Sequence, residues 1–105
     1  MGSSSSYPPT LTQSTGLLSD QDDSSFKDWT KVYLKYCDGT GHQGTRSNPL
    51  SYKGATLYFR GHNVTIGQLN SLDDEINLFS KVEKIIVSGG SAGGLATFVW
   101  TNYIK

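Results

Sequence analysis

The chain has 105 residues, with nine Lys and Arg balanced by nine Asp and Glu, so no global field draws it to nucleic-acid phosphates or anionic lipid. Hydrophobic residues make up 35% and twelve glycines add to them, the composition of one small folded domain rather than of a disordered chain. The single cysteine, Cys37, cannot form an internal disulfide, no apolar stretch approaches the roughly 18 residues of a membrane span, and no cofactor or metal is expected.

Residues 1 to 28 read as an extended polar segment, with Pro8, Pro9, scattered Ser and the acidic group Asp20, Asp22 and Asp23. No secretory signal is visible there, since Met1 is followed by Gly2 and serines rather than by a basic segment and an apolar core. Residues 29 to 105 read as sheet and helices. Val32, Leu34 and Tyr36 alternate with Lys31, Tyr33 and Lys35, predicting a half-buried strand over 31 to 37. Residues 38 to 52, with Gly39, Gly41, Gly44 and Pro49, predict a long loop. Ala55, Leu57 and Phe59 predict a second short extended stretch that stops at Gly61. Ile66, Leu69, Leu72, Ile76 and Phe79 recur at helical spacing and predict a helix from about 64 to 79. Ile85, Ile86 and Val87 form a β-branched run, the pattern of a strand buried on both faces of a parallel sheet. From Ala92 onward, apolar residues surround most of a helix, predicting burial on several sides. The order of elements predicts a doubly wound, mostly parallel α/β sheet.

The most informative segment joins the last strand to the last helix. Gly89, Ser91 and Gly93 satisfy G-x-S-x-G, the pattern of a nucleophile elbow, in the strand-to-helix context that the pattern requires. In such a turn the serine takes positive φ, and small residues on either side let strand and helix approach. Ser91 is thereby the candidate nucleophile and the Ala92 amide a candidate oxyanion donor, with Gly89, Gly90, Gly93 and Gly94 as elbow glycines. A phosphate-binding turn is the competing reading. It is disfavoured because no Lys follows until Lys105, and because Ser91 occupies the middle glycine place of a dinucleotide fingerprint. Hydrolases of this type place their acid and then their His after the serine, and residues 92 to 105 contain no Asp, Glu or His. His42 and His62 precede Ser91 and are more readily read as solvated polar residues or binding contacts than as the base. Asn63-Val64-Thr65 matches an N-glycosylation acceptor at a predicted helix start.

The run Val87-Ser88-Gly89-Gly90-Ser91-Ala92-Gly93-Gly94-Leu95-Ala96 resembles the nucleophile region of the pectin acetylesterase and Notum family. Three further blocks agree in order: Gly2-Ser3-Ser4 with Pro8-Pro9 and Gly16-Leu17-Leu18-Ser19; Trp29 through Gly39; and Leu57-Tyr58-Phe59-Arg60-Gly61. The resemblance implies a partial α/β-hydrolase fold, incomplete at both ends, from a secreted parent enzyme that hydrolyses carboxylic esters. The implied substrate is an acylated carbohydrate, acetylated pectin in plant and microbial members, or a fatty acyl ester as in Notum, with no nucleic acid partner. It also implies that Ser91 is the nucleophile, that Asp38, His42 and Arg60 fall loosely in regions near the site, and that Cys37 matches a cysteine normally disulfide-bonded. The family's Gly-rich oxyanion segment and its triad Asp and His have no counterpart in this sequence. The alternative is a non-catalytic remnant or carbohydrate-binding protein that keeps the elbow as a structural turn.

Overall fold

The computed structural model describes residues 3–10, 16–21 and 24–105; the expectations resting on Gly2, Asp22 and Asp23 lie outside these. The described residues fall into two compact units, Ser3–Lys35 and Tyr36–Lys105.

In the first unit, lysine ammonium groups hold irregular backbone together. Lys31 Nζ donates to the Ser19 carbonyl at 2.8 Å and pairs with Asp20. Lys35 Nζ donates to the Pro8 carbonyl at 3.0 Å and lies 4.9 Å from the Tyr7 ring centroid. Short 3-10 turns at Ser4–Ser6 and Gly16–Leu18 replace part of the expected extended segment. The strand expected over 31 to 37 is not formed. Alternation is necessary for a half-buried strand but a ladder partner is also needed, and Val32 and Tyr33 are both exposed here.

The second unit opens with the expected loop, but that loop ends in a hairpin. Strand β1 (Leu50–Tyr52) pairs antiparallel with β2 (Ala55–Leu57), Tyr52 facing Ala55 and Leu50 facing Leu57. Lys53 (φ 48°) and Gly54 (φ 77°) form the connection, the two positive φ values of a type I′ turn. This is the sheet of the described residues, two-stranded and antiparallel; the doubly wound parallel sheet does not form within them. Ile85, Ile86 and Val87 lie in no ladder, and Ile85 and Ile86 are exposed. A strand buried on both faces exists only between neighbours, and none pairs with it among the described residues.

Helix α1 (Gly61–Ile76) begins and ends three residues before the expected bounds. It starts early because the preceding loop takes up its first amides. The Gly61 N–H donates to Asp38 Oδ2 at 2.6 Å, and the His62 N–H donates to the Gly44 carbonyl at 3.0 Å. These contacts substitute for a local side-chain cap. It stops at Asn77, whose left-handed conformation (φ 55°, ψ 51°) ends the helix while its N–H donates to the Asp73 carbonyl at 2.8 Å. Phe79 therefore lies beyond the helix.

Helix α2 (Ala92–Ile104) buries Ala96 and Trp100 but exposes Leu95, Phe98, Val99 and Tyr103, so the expected burial on several sides is not met. The described elements cover one side of it. No Cα of α1 comes within 8 Å of a Cα of α2 among the described residues. The two helices meet instead through side chains: the His62 ring lies 4.9 Å from the Trp100 ring. His42, Thr65, Leu69, Ala96 and Trp100 are the buried residues of this unit with side chains.

Candidate active site

Ser91 sits at the N-cap of α2 with φ 52° and ψ −119°, a conformation that is uphill for any residue with a Cβ and persists only where surroundings enforce it. The enforcing contact is close. A Cβ built on Gly89 would lie 2.3 Å from the backbone carbon and oxygen of Gly93, and one on Gly94 would lie 3.2 Å from the Gly89 carbonyl oxygen. The incoming backbone thus touches the first turn of α2 with no space for a side chain at Gly89. Gly90 and Gly93 differ, since a Cβ at either meets nothing within 4 Å. The close approach that the motif attributes to both outer glycines is required by Gly89 and not by Gly93.

Ser91 itself is exposed. The first helical amides are partly engaged, Gly93 N–H donating to the Gly90 carbonyl at 2.9 Å and Gly94 N–H to the Ser91 carbonyl at 3.0 Å. The Ala92 amide has no acceptor among the described residues, which leaves it open toward an external oxygen at a helix N-terminus.

A second tight turn lies against the start of α2. Gly41 (φ 64°) and His42 (φ 63°) are both left-handed, and a Cβ on Gly41 would lie 3.7 Å from the Ala92 carbonyl oxygen. The Gly41 N–H donates to the Tyr36 hydroxyl at 2.8 Å, and the Tyr36 ring stacks on the His42 ring at 4.8 Å. His42 is 8% exposed. Its Nδ1 is 3.1 Å from Thr65 Oγ1 on α1, and its carbonyl accepts the Trp100 indole N–H from α2 at 3.1 Å. Burial pushes the imidazole below its ordinary pKa, with the Asp38 charge opposing. It is not a solvated loop histidine.

Of the other expected contact residues, Asp38 has its carboxylate committed to the Gly61 and Thr40 amides and the Thr40 hydroxyl. It shapes the loop and caps α1. Arg60 is exposed, donating to the Ser47 carbonyl at 2.7 Å and lying 5.4 Å from the Tyr58 ring. Asn63 is exposed in the first turn of α1, while Thr65 of the same triplet is 1% exposed and bonded to His42. Cys37 is a half-buried free thiol. The sequence offers Tyr36 only as part of a strand pattern and Thr65 only as part of a glycosylation triplet, and nothing in it joins either of them, or Trp100, to His42. The i, i+4, i+8 series Gly61, Thr65, Leu69 is the buried stripe of α1, and its polar and glycine members hide it from a search for apolar periodicity. No group of His, Cys, Asp and Glu suited to a metal occurs among the described residues, and no described helix is long and apolar enough to cross a membrane.

A serine at a positive-φ apex, preceded by a glycine in backbone contact with the following helix, has the turn and the helix of a serine elbow, while residues 85 to 87 before it lie in no ladder. The sequence model described as Pectinacetylesterase matches residues 1–105. The chain belongs to the pectinacetylesterase family. It is similar to pectin acetylesterase 5 of Arabidopsis thaliana, 34% identical over 83 residues, covering 76% of this chain and 18% of the relative. It is also similar to pectin acetylesterase 4 of the same plant, 29% identical over 82 residues, covering 76% and 19%. The chain thus spans about a fifth of the length of these curated relatives. No solved structure matches it.

Proposed function

We propose that this chain is the nucleophile-bearing part of a carboxylic ester hydrolase that removes O-acetyl groups from a polysaccharide of the pectin type. The observation that carries the reading is the backbone of Ser91, held at φ 52° directly before α2 with Gly89 pressed on Gly93. Family membership and the names of the two plant relatives supply the substrate class.

In this reading the Ser91 hydroxyl gives its proton to a general base and attacks the acetyl carbonyl, the Ala92 N–H donates to the oxyanion, and the C–O bond to the sugar breaks as the sugar oxygen takes that proton and leaves as a hydroxyl; water then cleaves the acetyl-Ser91 ester, releasing acetate and restoring the Ser91 hydroxyl. The general base comes from residues outside this stretch, because the Nδ1 of His42 is committed to Thr65 and His42 lies buried. The run 85 to 87 takes its place as a parallel strand beside further strands of the whole enzyme. The whole enzyme acts outside the cell, on wall polysaccharide.

The test is Ser91→Ala in the full-length protein, assayed with a chromogenic acetate and with acetylated pectin. Loss of turnover by a factor of about 10⁴ or more, with the melting temperature held, is the expected result. An active Ser91→Ala protein refutes the assignment. The isolated 105-residue chain should show no turnover, because a hydroxyl without its base is a weak nucleophile.

A further inference from the structure

A turn fifty residues earlier in the chain lies beside the helix that follows Ser91. The two helices do not approach backbone to backbone, so the attitude of α2 depends on what lies between it and α1. The Gly41–His42 turn touches both. Its His42 carbonyl takes the Trp100 indole N–H, a buried bond in the third turn of α2, and Gly41 lies against the Ala92 carbonyl at the first residue of that helix. The turn is thus bonded to α2 at its third turn and passes close beside its first residue. On the other side, the His42 imidazole reaches Thr65 Oγ1, the most buried side chain of α1. Tyr36 then locks the turn, stacking on His42 and accepting the Gly41 N–H.

The choice of residues at the turn fits this role. A non-glycine residue at positive φ is strained, and His42 pays that strain in a buried place where the sequence has glycine on the preceding side. A free loop histidine has no reason to hold such a conformation. One that must aim its carbonyl at Trp100 and its ring at Thr65 does.

We infer that Thr65 and His42 are positioning residues for Ser91: their side-chain bond holds the turn that orients α2, and with it the elbow at its first residue. This rests on the reading of Ser91 as nucleophile. Neither residue touches the acyl group. Loosening the bond lets the helix start drift, and drift of about 1 Å in a nucleophile costs up to about 10²-fold in rate.

The test uses the full-length protein with Thr65→Val, which keeps the shape and removes the hydroxyl, and Thr65→Ser, which restores it. His42→Leu and His42→Asn form the matching pair, because Asn tolerates positive φ and can still reach a hydroxyl from the Nδ1 side. Thr65→Val and His42→Leu are expected to lower kcat for a chromogenic acetate about 10- to 100-fold, with KM within about twofold. They should slow labelling of Ser91 by a fluorophosphonate to the same degree. Thr65→Ser and His42→Asn should recover most of both. If Thr65→Val or His42→Leu fails to fold, Trp100→Phe, which cuts the bond at the α2 end, is read by the same criteria. Unchanged kcat and labelling in folded variants that only melt earlier would overturn the positioning role and leave the nucleophile standing. Full turnover in Ser91→Ala would overturn both, and is seen in a different variant.

Discussion

Gly89 and Gly93 occupy symmetrical places in the motif, yet the structure separates them. At Gly89 an added Cβ would come within 2.3 Å of two backbone atoms of Gly93, against the roughly 3.5 to 4.0 Å at which carbon atoms rest in contact. The backbones must part by more than about 1 Å to admit it, and neither neighbour is a flexible side-chain end that can swing away. Overpacking of this kind costs about 1–3 kcal/mol, and the displaced residue is two positions from Ser91. Gly89→Ala should therefore lower the melting temperature and cut kcat by about 10²-fold. At Gly93 the same methyl group meets open space within α2, and exchange of glycine for alanine in a helix gains up to about 1 kcal/mol. Gly93→Ala should melt at or above the wild-type temperature and keep most of its turnover. Thermal unfolding and hydrolysis of a chromogenic acetate by the full-length protein measure both. Equal losses in the two variants would show that the elbow is not packed as described.

Stability should also depend on pH through His42. Its folded pKa lies below the unfolded value because burial disfavours the imidazolium more than Asp38 favours it. The unfolded chain consequently binds the proton first, and stability, complete above about pH 6.5, falls as pH drops from there through the folded pKa. Melts between pH 8 and 5 should show that fall, and His42→Asn should flatten it; a constant difference between the two proteins across the range would contradict it. In the hairpin, Lys53 holds φ 48° before Gly54, a place that Asn fills with less strain. Lys53→Asn should raise stability by up to about 1 kcal/mol, read as a higher urea midpoint, and an unchanged or lower midpoint would count against the turn assignment.

What the sequence made legible was local. The elbow pattern is a chain of short-range requirements, and Ser91 does take positive φ directly before a helix at Ala92. The left-handed stop at Asn77 and the Lys53–Gly54 connection are short-range too, but each is masked: Lys-Gly is not among the dipeptides that announce a hairpin. Asn77 fell inside a run whose periodicity continued to Phe79. The strands expected at 31 to 37 and 85 to 87 fared differently. Their patterns describe what a strand would bury, but pairing is a property of two segments, and no partner lies beside either among the described residues. The start of α1 was misplaced for a related reason, because Asp38 caps it from twenty-three residues away.

The same distinction bears on how the strain at Ser91 is sustained. A residue with a Cβ at φ 52° is uphill by about 1–3 kcal/mol, and no side chain caps the helix that follows. The local support is Gly89, whose missing side chain lets the incoming backbone press on Gly93. That contact fixes the turn relative to its own helix and nothing else. Orientation of the helix within the unit needs contacts from elsewhere, and Leu95, Phe98 and Val99 on its outer face are exposed. The buried polar contact to α2 is the Trp100 indole on His42, and His42 is in turn held by Thr65. A motif search finds the first support because it is written in five consecutive residues. The second is spread over positions 36, 41, 42, 65 and 100, and becomes visible only when the chain is folded.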